Sequence, residues 1–350
     1  MKILYFTKYS RLGASSRLRS FQYVPHLKDM GYEITVQSLF SDRYITDLYA
    51  GKTNFLEVFK CYIKRLLFLF TFFRYDKIVI EKELFPFVPP IFEAIISFVG
   101  PGYLVDFDDA IFHTYDRHPN KLIRKFLGNK INFVMSKAAV VICGNAYLEK
   151  RALESHAKKT VIIPTVIDIN RYDIRSHNTN EIPVIGWIGT PGSIRFLEGN
   201  MPYLIQLHQK LPFELRVVGA KMKAYNQDFI TYLPWTEDSE VQLIQKFDIG
   251  IMSLLDSDFE KGKCAYKLIQ YMACGIPVVA SAVGMNAALI KAGVNGYLVH
   301  SPSDWEAYLT KLIGDKRHSL AVGLEARKTI EENYTLQKQF PILEHIIREN

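Results

Sequence analysis

Short apolar runs alternate with amphipathic stretches along the whole chain, and this alternation limits the fold more than any other feature of the sequence. Candidate strands are Lys2–Phe6, Tyr32–Ser38, Lys77–Glu81, Tyr103–Asp106, Val140–Cys143 and Val161–Ile163. A second series comprises Val184–Ile188, Glu214–Val218, Ile249–Ser253, Val278–Ala280 and Gly296–Val299. Helical patterns lie between them, among them Arg17–Met30, Lys121–Ser136 and Tyr266–Ala273. Neighbouring parallel strands need a crossover, usually a helix, so this order predicts α/β domains with mostly parallel, doubly wound sheets. The 350 residues suffice for two such domains. Polar, aperiodic Ile169–Glu181 falls between the two series. The expected division is therefore residues 1–168, a linker over 169–182, a second domain over 183–333, and a terminal segment over 334–350. Ligands of such domains bind outside the carboxyl ends of the strands.

Hydrophobic residues make up 49% of the chain and charged residues 23%, which excludes a disordered polymer. The formal charge of +7 suits anionic partners without choosing among phosphates, acidic lipid and nucleic acid. Basic residues interleave with aromatics in no nucleic-acid module, so no nucleic acid is expected. Cys61, Cys143, Cys264 and Cys274 stand too far apart for a Cys-x-x-Cys site, and none of the nine histidines pairs at metal-ligand spacing. No metal site is expected. The opening MKILYF reads as a first strand rather than a signal peptide, and no apolar run approaches the ~18 residues that span a bilayer. A cytoplasmic protein is expected, with attachment to the inner face of the cell membrane left open.

The stretch Lys261–Ser281, KGKCAYKLIQYMACGIPVVAS, carries the most chemistry. Gly262 and Gly275 bracket a helix, and Lys263 and Lys267 lie near its start, one turn apart. A helix start offers unpaired N–H groups and a positive dipole end, so two lysines there suit a diphosphate. The same spacing also suits a solvated basic turn. Together with VGMNAALIKAGVNGYLV (Val283–Val299), this stretch resembles the family 4 glycosyltransferases of the GT-B fold. Many members carry Glu-x7-Glu before an Ala-Met-Ala-x-Gly-x-Pro-Val-Val run. Here Gly262 and Gln270 replace the two Glu, as in a subset that reads Gly-Lys-Cys and then Lys-Leu-x-Gln-Tyr-Met-Ala.

The resemblance implies two Rossmann-like domains facing a cleft, with a terminal helix over 334–350 packing back on the first domain, and retaining, metal-independent transfer of a hexose from a nucleotide-diphosphate sugar to a glycan or lipid-linked acceptor. The sugar nucleotide is a co-substrate, so no cofactor is implied. Cell-surface polysaccharide or lipopolysaccharide synthesis is the implied setting. Lys263, Ala265, Tyr266 and Lys267 would meet the donor, with Gln270 at its ribose. Gly189, Thr190 and Arg195 in VIGWIGTPGSIR fall where relatives bind the diphosphate, Arg195 being the nearby cation. Gly219 in LRVVGA and Trp235 in YLPWTEDSE match loops that line the base, although Trp235 also suits a core position. In RLGASSRLR, Gly13 and Ser15 open a small-residue loop where relatives meet donor phosphate or acceptor, and Arg17 and Arg19 add anion-binding forks. A capped, solvated helix start is the alternative there.

Asp106, Asp108 and Asp109 crowd the end of a strand in VDFDDA. In the family reading, Asp108 or Asp109 orients the acceptor. Other readings of the carboxylates are a helix cap, the metal-binding pair of GT-A transferases, and a Mg²⁺-dependent phosphatase of the haloacid dehalogenase type built on Asp106 and Asp108. A non-catalytic, membrane-docked partner of a transferase is a further alternative, since both Glu positions are replaced. Sugar-nucleotide epimerases of the same fold are a weaker one.

Asn54–Arg74 is the other unusual segment. Phe55, Phe59, Tyr62, Ile63, Leu66, Leu67 and Phe70 share one helical face, with Lys60, Lys64, Arg65 and Arg74 beside it. Such a helix suits an anionic bilayer interface and suits equally a core position against the first sheet.

Overall fold

The computed structural model describes residues 1–52, 54–175 and 181–350, so part of the expected linker (176–180) lies outside the described residues. The chain divides into two compact units. The first comprises Met1–Thr165, Lys261–Cys264 and Gln339–Asn350, and the second Val166–Glu260 and Ala265–Lys338.

The first unit holds strands β1 (Lys2–Tyr9), β2 (Glu33–Phe40), β3 (Lys77–Glu81), β4 (Leu104–Phe107), β5 (Val140–Cys143) and β6 (Thr160–Ile162). They form one parallel sheet in the order β2-β1-β3-β4-β5-β6. The second unit holds β7 (Val184–Ile188), β8 (Glu214–Val218), β9 (Ile230–Leu233), β10 (Ile249–Met252), β11 (Val278–Ser281) and β12 (Tyr297–Val299). Their order is β12-β11-β10-β7-β8-β9, again all parallel. Counted within the unit, that is the dinucleotide-binding order 3-2-1-4-5-6, whereas the first unit follows 2-1-3-4-5 with one strand added. β4, β5, β7 and β10 are buried at every residue, which explains their unbroken apolar runs.

In each sheet the chain winds one way and then the other, and the reversal leaves a crevice at the carboxyl ends of two neighbouring strands. It lies between β1 and β3 in the first unit and between β7 and β10 in the second. Both crevices coincide with the segments singled out in the sequence.

Several helices differ from expectation. Arg17–Met30 is not one helix: Ala14–Ser16 runs into a wider π turn over Arg17–Phe21, and Val24–Asp29 restarts with Pro25 in its first turn. Lys121–Ser136 breaks near Gly128 into Lys121–Leu127 and Lys130–Lys137. The terminal helix Leu336–Glu349 carries Pro341 inside it.

The helix Phe55–Leu69 starts at Asn54, whose side chain accepts from Glu57 N at 3.1 Å. It buries Cys61, Arg65 and Leu69, while Tyr62 and Leu66 pack on the core. The single apolar face expected from the sequence is thus divided. Leu56, Phe59, Ile63, Leu67 and Phe70, three or four residues apart, form a second stripe exposed to solvent. Buried Arg65 donates to Thr7 O (2.6 Å), Gln37 O (2.9 Å) and Leu84 O (3.4 Å), pinning the inner face to the sheet.

Candidate functional site

The first unit gathers charge around the β1–β3 crevice. The loop after β1 turns sharply at Gly13, where a Cβ would come within 2.4 Å of Tyr9 Cβ. This turn carries Ser15 and Ser16 toward β3 and β4. Ser16 Oγ donates to Glu81 Oε2 at 2.6 Å, and Ser15 Oγ donates to Asp108 Oδ2 at 2.5 Å. Lys82, the residue after β3, lies 2.7 Å from Asp108 Oδ1 and 3.3 Å from Asp109 Oδ2. Burial alone would raise the Asp108 carboxyl, but the Lys82 ammonium and the Ser15 hydroxyl overcome it and hold the group down at about 2. Burial raises the Glu81 carboxyl above its ordinary value.

Asp106 has a different task. Arg19 meets it with a two-pronged contact, Nε to Oδ2 at 2.9 Å and Nη2 to Oδ1 at 2.6 Å. Arg19 Nη1 donates to Ile163 O at 2.8 Å. Both side chains are almost wholly buried. Arg19 is therefore not the anion-binding fork expected from the sequence. With both Asp106 oxygens taken by a guanidinium, the phosphatase and GT-A readings lose the first of their two carboxylates.

Segment Lys261–Cys264 packs within this first unit. Asn145 caps the helix Ala146–Glu154 and donates to Gly262 O (3.0 Å) and Lys263 O (3.2 Å). A Cβ at Gly262 would stand 2.6 Å from Ala110 N, so no side chain fits where many family members carry the first Glu. Lys263 precedes the helix and pairs with Asp109 at 3.7 Å. Cys264 lies against Asp108 O at 3.2 Å, and burial pushes its thiol up to about 12, making it a poor nucleophile.

In the second unit, Lys267 lies in the first turn of the helix Tyr266–Ala273. The chain enters this helix through Ala265, which is buried with φ +52°. Lys267 Nζ stands 4.8 Å from the Trp187 ring centre and 3.4 Å from Ser193 Oγ. Ser193 closes the turn after β7, accepting from Thr190 N (3.2 Å) and donating to Thr190 O (3.0 Å). Gly219, at φ +84°, comes so near this turn that a Cβ would lie 2.6 Å from Gly189 O. Gly189, Thr190, Gly219 and Lys267 are thus gathered around the end of β7.

Arg195 is set differently, with its side chain 67% exposed and 3.5 Å from Glu260. Buried Gln270 donates to Tyr172 Oη at 3.2 Å, and Tyr172 donates to Glu240 Oε1 at 3.2 Å. Trp235 Nε1 donates to Glu240 Oε2 at 2.8 Å, and Tyr266 is hydrogen-bonded to Tyr172. Lys82, Glu81, Trp187, Ser193 and Glu240 were not among the residues expected from the sequence. The Glu-Lys-Glu string after β3 was the one available signal for Lys82.

Residues 182–315 match the sequence profile of glycosyl transferases group 1. Over 89 residues the chain is 35% identical to D-inositol 3-phosphate glycosyltransferase of Mycolicibacterium vanbaalenii. That stretch covers 25% of this chain and 19% of the relative, about a fifth of its length. Solved structures share the whole fold. Anabaena HepE in complex with UDP-glucose superposes with a TM-score of 0.74 at 15% identity, covering 100% of both chains. Sucrose-phosphate synthase from Thermosynechococcus elongatus gives 0.71 at 12% identity, covering 100% of this chain and 98% of that one. WaaG, a glycosyltransferase involved in lipopolysaccharide biosynthesis, gives 0.71 at 14% identity over 100% of both. The fold is GT-B, with two Rossmann-like units.

Proposed function

We propose that this chain is a retaining glycosyltransferase. In this reading it moves a hexose from a nucleoside diphosphate sugar to a hydroxyl of a glycan or lipid-linked acceptor, in synthesis of cell-surface polysaccharide or lipopolysaccharide. The observation that carries the reading is Lys267 poised over the Thr190–Ser193 turn at the switch point of the unit that matches the group 1 profile. Lys267 and the amides of that turn bind the donor diphosphate and stabilise the charge that grows on it as the sugar leaves, a task that metal ions perform elsewhere. Arg195 adds positive charge nearby, and Lys263 lies beside Asp109. Asp108 and Asp109 of the first unit orient the acceptor hydroxyl.

A thermal-shift panel of UDP, GDP, ADP and CMP in EDTA tests this reading. One nucleotide is expected to stabilise the protein, by about 2.7 kcal/mol at a hundredfold excess over its Kd, and to name the donor base. Transfer is expected to continue in EDTA, and its loss with recovery on Mn²⁺ would overturn metal independence. Binding without turnover would favour the non-catalytic partner. No shift from any nucleotide, together with Mg²⁺-dependent phosphomonoester hydrolysis, would overturn the transferase reading.

We further propose that the first unit rests on an anionic membrane surface. No helix among the described residues is long and apolar enough to cross a membrane. The exposed stripe on Phe55–Leu69 is joined by Ile91, Ile95, Phe98 and Val99 on the helix Ile91–Val99. Phe85 packs against both helices, through Tyr62 and Phe92. Exposed charges on these two helices are cationic, Lys60 and Lys64, with Arg74 just beyond. Glu93 is buried, and Glu57 accepts from Ser41. Aromatic and aliphatic side chains with flanking cations match an acidic headgroup layer, each cation adding about 1 kcal/mol. The protein is expected to sediment with phosphatidylglycerol vesicles and less with phosphatidylcholine alone, and Phe59→Ser/Leu67→Ser is expected to abolish sedimentation. Wild-type protein that stays in the supernatant would overturn this proposal.

A further inference from the structure

We propose that Lys82 is the positioning residue of the first unit, fixing Asp108 and Asp109 as the charged surface on which the acceptor hydroxyl is held. The proposal rests on the glycosyltransferase reading above. Because Lys82 directly follows β3, it emerges at the switch between β1 and β3. Its side chain is only 4% exposed, and a buried ammonium must have its donors matched. They are matched by Asp108 Oδ1, Asp109 Oδ2 and Ser15 Oγ, the last at 3.0 Å. These partners come from two separate segments, the loop after β1 and the end of β4.

The backbone supports the same conclusion. Lys82 has φ +65°, in the left-handed region that strains a non-glycine residue. Its neighbours impose this conformation. Lys82 N donates to Asp106 O at 2.9 Å, and Glu83 N reaches back to Glu81 O at 2.7 Å. A residue needed only to fill space here would be apolar and would need no ion pairs. A strained, buried lysine with its ammonium spread over two carboxylates and a serine instead sets where those groups point.

Asp109, with its side chain 29% exposed, is the carboxylate open to a substrate, and Lys82 acts through it rather than on the acceptor. The charges facing Asp108 are Lys82 and Glu81 at the end of β3, Arg19 from the first loop and Asp106 from β4. Tyr9 and Cys264, both kept neutral by burial, are also close. Lys82 is the largest attractive charge among them. Its removal should therefore release the Asp108 carboxyl toward ordinary or higher values.

The test is a carboxyl titration by ¹³C NMR of protein labelled at the aspartate side chains, with Asp108 assigned from Asp108→Asn. Wild-type Asp108 is expected to stay ionised down to about pH 4 and below. In Lys82→Met it should titrate about one to three pH units higher, while Lys82→Arg retains the low value. Lys82→Gly removes the same charge with a residue at ease at this φ, and it decides the matter if the Met variant does not fold. An Asp108 titration unchanged in both neutral variants would overturn the assignment. On the same samples, hydrolysis of the glucose conjugate of the stabilising nucleotide, in which water takes the place of the acceptor hydroxyl beside Asp108 and Asp109, is expected to lose about 10²-fold in kcat with donor KM unchanged. A raised donor KM with kcat unchanged would likewise overturn the positioning role. Nucleotide stabilisation of wild type separates the two proposals: its absence removes the donor reading, while the titration still decides what Lys82 does.

Discussion

Lys267→Ala is expected to lower transfer by about 10²–10³-fold, the loss that follows removal of one preorganised group facing charge developed in the transition state. The change falls mainly on kcat, because the diphosphate gains charge as the sugar departs while the ground state is held by several other groups. Folding should be little affected. The side chain is partly exposed, and its cation–π contact with Trp187 is of a kind that contributes about 0.5–1 kcal/mol. Steady-state kinetics beside a thermal melt separates the two effects. A variant with kcat within about twofold of wild type would remove Lys267 from the mechanism.

The largest stability loss is expected from Asp106→Ala. Of its three hydrogen bonds described above, Arg19 would keep the one to the Ile163 carbonyl, and breaking a buried ion pair from one side costs about 3–5 kcal/mol. For a unit of this size that corresponds to a melting temperature lower by about 10 °C. The double variant Arg19→Met/Asp106→Leu should recover much of the loss, because it leaves no buried charge unmatched. A single variant melting like wild type would show that the pair does not hold the end of β4 to the first loop. Asp106 would then be open again to a chemical role.

The strands that line the two crevices were legible because strands buried on both faces leave unbroken apolar runs. The edge strand β9, Ile230–Leu233, leaves no such signal: ITYL is short and mixes polar with apolar residues, and the resemblance assigns Tyr232 and Leu233 to a loop. The helix Phe55–Leu69 was legible as a helix, but its faces were not. Apolar residues lie on nearly all its sides, and only the sheet contacts made by Arg65 decide which side is inward. The resemblance puts Gly189, Thr190 and Lys267 at one donor site, and each of them follows a recognisable strand or opens a recognisable helix. Lys82 could not, since its partners lie 67, 26 and 27 residues away and its charge looks like that of any solvated turn until β1, β3 and β4 are side by side.

Arg65 has a mechanical consequence. Its three carbonyl partners stand at Thr7, Gln37 and Leu84. Two of these flank the β1–β3 crevice of the first unit: Thr7 lies just ahead of the loop that carries Ser15, and Leu84 two residues beyond Lys82. The helix with the exposed aromatic stripe is therefore a mounting bracket rather than a hinged flap. A lipid surface that seats its outer face would set the height and tilt of the carboxylates above the headgroups, and so select acceptors by how far their hydroxyl projects from the bilayer.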